Sequence, residues 1–216
     1  MRSIIVALLA LFITAAPGWA ASTGDGAAKT LALVRKAYST LTSIRAEFVQ
    51  TEERPGVGIS HREEGVLSFL LPDRMRWDYR GKKPHRVIIN GDIVWIYMPG
   101  RHQVVRRKMT PEEMRQGAGT FLGGIDRLEK DFTVRSGGTG PEGRYALVLF
   151  PKSKKTSYDR IEIFVEPDTG VIERITIHHR IGNVTTISFA GIERNVKLSP
   201  DLFKWDIPKG TEVIEP

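Results

Sequence analysis

Gly65-Val66-Leu67-Ser68-Phe69-Leu70-Leu71 runs into Pro72-Asp73 and then Arg74-Met75-Arg76-Trp77-Asp78-Tyr79, and the reading of this stretch decides the fold. In its second arm Met75, Trp77 and Tyr79 share one side while Arg74, Arg76 and Asp78 share the other. That is the period of two of a strand with one buried face. Pro72-Asp73 is turn chemistry, so the stretch predicts two antiparallel strands. The same grammar extends in both directions. Upstream, Ile44, Ala46 and Phe48 alternate with Arg45, Glu47 and Val49, and Arg54-Pro55-Gly56-Val57-Gly58 turns the chain back. Downstream, Gly81-Lys82-Lys83-Pro84 turns into a strand over 87–89, which Asn90-Gly91 joins to another over 93–98. Asn90-Gly91 predicts a type I′ hairpin, in which both central residues take positive φ. Pro99-Gly100 then leads into a strand over 102–108.

Two segments break this period. Leu31, Val34, Tyr38 and Leu41 recur at three-to-four spacing and predict an amphipathic helix over 29–41. Thr110-Pro111-Glu112-Glu113 supplies the cap, the first-turn proline and the glutamate of a capping box. Gly117, Gly119, Gly123 and Gly124 make the helices that follow, over 114–132, short and jointed. Strands are expected again at 145–150, 161–166, 171–179 and 184–190, with 204–206 as a last one. Ser136-Gly137-Gly138-Thr139-Gly140 reads as a long hairpin turn. The sum is one antiparallel sheet of about ten strands with two helical insertions, a single domain over 21–216.

Residues 1–20 read as an address. Met1-Arg2 is a short positive start, 4–16 are apolar, and Gly18-Trp19-Ala20 offers small residues before a cut. The run is too short to span a bilayer and predicts a cleaved secretory signal, hence export to the periplasm or beyond. Of 216 residues, 41% are hydrophobic and 26% charged, enough for a sizeable core. The absence of cysteine excludes disulfides, thiolate metal sites, cysteine nucleophiles and lipidation at an N-terminal cysteine. A net charge of +7 suits anionic lipid or an acidic partner. Nucleic acid is disfavoured by export and by the lack of an interleaved aromatic platform.

Catalytic and metal chemistry finds little support. His178 and His179 are adjacent on a strand and point to opposite faces, and no carboxylates cluster with the other histidines, so no metal is expected. Glu162 and Glu166 suit cross-strand ion pairs better than a glycosidase pair. The glycine run at 137–140 lacks the Lys-Ser/Thr ending of a phosphate loop, and no nucleophile elbow is present. An enzyme is not expected. Large side chains do crowd the early strands: Leu67, Phe69, Leu71, Met75, Trp77, Tyr79, Trp95 and Tyr97. They line either the concave wall of a cavity, with Leu31, Val34, Tyr38, Phe121 and Leu122 as a lid, or an ordinary filled core. Arg106, Arg107, Lys108, Lys82 and Lys83 form short basic clusters, read either as solvated rim charge or as a docking surface for an acidic partner or anionic headgroups.

Taken in order, several short motifs resemble one family. They are Phe48-Val49-Gln50, Gly65-Val66-Leu67, Pro72, Arg76-Trp77, Val87-Ile88-Ile89-Asn90-Gly91, Val94-Trp95-Ile96-Tyr97 before Pro99, Phe121-Leu122-Gly123-Gly124, Asp131-Phe132, and Phe203-Lys204-Trp205-Asp206-Ile207-Pro208-Lys209-Gly210. The set is similar to the LolA-type periplasmic lipoprotein carriers over nearly the whole chain beyond residue 20. The resemblance implies an incomplete antiparallel barrel of about eleven strands under a helical lid. It implies a monomeric carrier of acylated lipoproteins, loaded by an inner-membrane ABC-type releasing complex and unloaded to an outer-membrane acceptor. It implies no cofactor and no catalysis. Carriage of another lipid such as a glycolipid, lipid sensing, or a filled β-domain binding an anionic partner are the other readings. In one respect the chain departs from the family: where members often carry an arginine that latches the lid, this sequence has Leu71.

Overall fold

A computed structural model describes residues 25–110, 113, 122, 125 and 128–215. The leader, Phe121 and the four glycines of the predicted second lid segment lie outside the described residues. The strands are β1 (Ser43–Arg54), β2 (Ile59–Leu70), β3 (Arg74–Arg80), β4 (His85–Asn90), β5 (Ile93–Met98), β6 (Gln103–Lys108), β7 (Phe132–Thr139), β8 (Tyr145–Pro151), β9 (Tyr158–Val165), β10 (Ile172–His179), β11 (Val184–Arg194) and β12 (Glu212–Ile214). The α-helices whose bounds lie among the described residues are α1 (Asp25–Tyr38) and a single turn, α2 (Leu128–Asp131); Glu113 and Leu122 are also helical.

All twelve strands belong to one sheet, in the order β12-β6-β5-β4-β3-β2-β1-β11-β10-β9-β8-β7. Two meanders, β1 to β6 and β7 to β11, are welded where β1 pairs antiparallel with β11, Phe48 opposite Phe189. The order ends on β12 and β7, so the sheet curls without closing, as an open antiparallel barrel does.

Three expectations need correction. The glycine run predicted as a turn lies largely within β7, whose register shifts between Ser136 and Gly138. A Cβ on Gly137 would meet that of Ala146 at 2.8 Å, so the glycines kink a strand at a bulge instead of ending it. Residues 204–206 form no strand; the last one is β12, and it pairs parallel with β6. In the β4–β5 hairpin Asn90 pairs with Ile93, which places Gly91 and Asp92 at the centre of the turn. Only Gly91 takes positive φ, 63°, the pattern of a glycine-first hairpin turn in place of type I′.

Pleating gives the sheet two faces. On the inner face Phe48 packs edge-on against Trp77, with ring centroids 4.9 Å apart, and against Tyr79 at 5.0 Å. This is possible because the residue between Phe48 and Tyr79 across the ladder is Gly65. A Cβ there would stand 2.1 Å from the Asp78 carbonyl oxygen and 2.9 Å from the Phe48 ring. Gly65→Ala is therefore expected to lower stability by about 2 kcal/mol, read as a reduced urea midpoint at unchanged slope.

Candidate functional site

The inner wall follows from register. Leu67 lies opposite Ala46 on one side and Trp77 on the other; Phe69 lies opposite Ile44 and Met75. Leu67, Phe69, Met75 and Trp77 are buried, and Leu71 and Tyr79 pack half-buried against them. The Tyr79 hydroxyl donates to Gln50 Oε1 at 3.0 Å. Burial, with the Glu63 carboxylate adding to it, pushes its pKa up to about 12, so the wall stays uncharged there.

Trp95 and Tyr97 do not join this wall. Trp95 pairs with Ile88, which pairs with Arg76, and Tyr97 pairs with Arg86, which pairs with Asp78; these rows form the outer face. A two-residue turn preserves side-chain parity, so Val94 and Ile96 face inward and the aromatics between and beyond them cannot. Side-chain size is the misleading signal here. Outside, Tyr97 meets Trp205 at 4.7 Å and Trp95 carries the Arg106 guanidinium at 5.2 Å.

The other half of the wall comes from β8 to β11: Leu147, Leu149, Ile161, Ile163, Ile175 and Phe189. The sequence does not single out any of these, although the alternation of Ile161, Ile163 and Val165 carries the signal.

Over the wall lie the helical segments. Leu31 and Val34 of α1 are buried, as are Leu122, Ile125 and Leu128, all within one contiguous apolar cluster with the wall. The Tyr38 hydroxyl accepts from the Ile172 N–H at 3.3 Å, and burial pushes its pKa to about 12. Gly170, at φ 72°, lets the β9–β10 turn close on α1, where a Cβ would stand 2.6 Å from the Leu33 carbonyl oxygen. Arg35 of α1 reaches Glu129 of α2 at 2.6 Å and ties the two helices together.

A further tie uses a residue that the sequence places in a basic cluster. Arg107 lies opposite Val94, in the inner-face row that continues to Ile89 and Met75. Its Nη1 sits 2.8 Å from Glu113 Oε1. Glu113 completes the predicted capping box: its carboxylate accepts from Thr110 N–H at 2.8 Å, and its own N–H donates to Thr110 Oγ1 at 3.2 Å. Leu71, at the position of the expected latch arginine, supplies apolar contact, and Arg107 holds the start of the helical cover from β6. Arg106 pairs with Glu215 at 2.8 Å and Lys108 with Asp92 at 3.0 Å, while Lys82 and Lys83 are exposed at the β3–β4 turn.

The family model described as "Outer membrane lipoprotein carrier protein LolA" matches residues 39–206. The chain belongs to the LolA family. It is 30% identical over 214 residues to the outer-membrane lipoprotein carrier protein of Cupriavidus taiwanensis, covering 97% of this chain and 95% of that one. It is 29% identical over 190 residues to the protein of the same name from Alkalilimnicola ehrlichii, covering 87% and 85%. Among solved structures, an uncharacterized conserved protein of Thermus thermophilus shares the fold at a TM-score of 0.56 and 17% identity, over 88% of this chain and 99% of that one. In this member the fold is an open sheet under helical segments, with twelve strands among the described residues. No helix among the described residues is long and apolar enough to cross a membrane.

The Glu113 carboxyl is held below the usual carboxylate range, first by the Thr110 backbone N–H and then by the Thr110 hydroxyl and Arg107. A depressed folded-state pKa means that the tie is intact at neutral pH and is lost as pH falls through that pKa. Glu113→Gln is expected to lower protection against hydrogen exchange over 110–115 severalfold at pH 7 and to remove the further loss of protection expected in the parent on acidification, as read by mass spectrometry against intrinsic rates.

Proposed function

We propose that the inner wall binds the acyl chains of lipoproteins and carries them across the periplasm; its relatives are named outer-membrane lipoprotein carrier proteins. The observation that supports this most directly is the way the wall is covered. Its apolar surface is covered by helical segments, and the ion pairs that tie these to one another and to the sheet among the described residues, Arg35–Glu129 and Arg107–Glu113, are exposed. Exposed pairs of this kind contribute little, because water and salt screen them and two long side chains must be ordered to form them. Such a cover can leave without unfolding the sheet.

The energetics suit a carrier. Burying one CH₂ gains about 0.8 kcal/mol, so an acyl chain of about sixteen carbons leaving a bilayer forfeits on the order of 12 kcal/mol. A soluble protein must offset most of this and still release its cargo. Exchange of helix–wall contacts for acyl–wall contacts does so, because the net affinity is the small difference of two similar apolar burials. The protein carries this out as a monomer and without catalysis. It takes cargo from an ATP-driven complex at the inner membrane and delivers it to an acceptor at the outer membrane, with residues 1–20 directing its export.

Leu67 is fully buried, so a charge there would unfold the wall before it emptied it. Half-buried inner positions make better probes. A photo-crosslinking residue in place of Ile89 is expected to capture acylated N-terminal peptides in periplasm, identified by mass spectrometry; capture of a glycolipid would reassign the cargo, and capture of no lipid would count against carriage. Ile89→Ala is expected to weaken binding of a fluorescent acyl probe about tenfold while retaining the parent's circular dichroism. Arg107→Ala is expected to strengthen probe binding by loosening the cover that competes with it.

A further inference from the structure

The outer face holds a second site of different character. Between β1 to β4 and the C-terminal segment that crosses them lies a cavity of about 380 Å³, separated from the inner wall by the sheet itself. Register explains its chemistry. Arg45, Ser68 and Arg76 stand in one cross-strand row, Val66, Asp78 and Arg86 in the next, and Arg80 in a third, all on the outer face. Four guanidiniums thus line the cavity against a single carboxylate. Glu47 and Glu64 complete the second and third rows outside that lining, and Glu64 is engaged by Arg62 at 3.4 Å.

The carboxylate in the lining is already committed. Asp78 receives Arg76 Nε at 2.6 Å and Nη2 at 3.1 Å, and Arg86 Nε as well. Burial alone would raise its pKa, but the two guanidiniums hold it below the usual aspartate range. Arg76 is pinned further by donating to the Leu202 carbonyl at 3.1 Å, and Arg86 lies over the Trp205 ring at 5.6 Å. Arg45 and Arg80, in contrast, have no acidic partner among the described residues. They rise from β1 and β3, two strands and about 10 Å apart across the sheet and on opposite sides of Val66 along it. Two long side chains can converge from there on one ligand above Val66.

We propose that this cavity binds a phosphate ester, its charged oxygens bridging Arg45 and Arg80 and its carbon part resting on Leu198 and Leu202 of the crossing segment. A carboxylate presents one edge to a guanidinium fork, the role Asp78 already fills for Arg76. A tetrahedral phosphate presents oxygens to guanidiniums approaching from opposite sides, and its greater negative charge matches the excess of cations in the lining. The site does not depend on acyl carriage, since it lies on the other face.

The test is titration calorimetry of the purified protein with inorganic phosphate and with glycerol 3-phosphate at about 150 mM salt, where diffuse surface attraction is screened. Flotation with phosphatidylglycerol vesicles accompanies it. Saturable binding is expected, weakened at least tenfold in Arg45→Ala/Arg80→Ala and unchanged in Lys154→Ala/Lys155→Ala, which removes equal charge from exposed positions elsewhere. Binding of the soluble phosphates assigns a free ester, and binding of vesicles alone assigns a lipid headgroup. Absence of saturable binding to all three, or equal loss in both double variants, overturns the proposal. Arg45 and Arg80 are exposed, and unchanged acyl-probe binding in their double variant separates this site from the inner one.

Discussion

The pairing of β1 with β11 joins strands more than a hundred residues apart, and the rest of the molecule is arranged around it. Each meander alone is a sheet with one apolar face and nothing to set against it. Once Phe48 stands opposite Phe189, the two inner faces become one concave surface, from Met75 and Trp77 on one side to Leu147 and Ile163 on the other. A surface that large and that apolar has to be covered, and the helices are what covers it.

The second face imposes a parallel demand with a different solution. Ile88, Val104 and Phe203 are buried on the outer side, where the turn at Pro200–Phe203 packs on β3 and β4. Here the cover is a strap held by Arg76 to the Leu202 carbonyl and finished by β12 in parallel with β6. A strap anchored by ladder hydrogen bonds and a pinned guanidinium is a fixed element. The inner cover is tied to its surroundings by exposed ion pairs, which water and salt screen.

Charge is distributed by the same logic. Two polar groups among the inner residues stay neutral: the hydroxyls of Tyr38 and Tyr79 are both bonded and both raised to about 12. Guanidiniums gather on the outer face around Asp78, where water and the strap can meet them. The sheet thus separates a largely apolar face from one rich in guanidiniums.

Much of this is legible in residue order. The alternation in Arg74-Met75-Arg76-Trp77-Asp78-Tyr79, the hairpin at Gly91 and the capping box at Thr110 and Glu113 are local patterns, and local sterics and hydrogen bonding are enough to specify them. The wall residues of β2 and β3 come from the period of two, and Leu31 and Val34 from the helical spacing. What residue order leaves open is everything that depends on a neighbour distant in sequence. Trp95 and Tyr97 are large enough to belong inside, and cross-strand register, fixed through Ile88 and Arg86, puts them outside. Arg107 has the look of rim charge until the inner face of β6 carries it to Glu113. The glycines of β7 read as a turn until β8 supplies a ladder for them. Period-two and period-four patterns say which residues share a face; only the packed sheet decides which face is inner, because that choice is made by what lies across the strand and not by what lies along it.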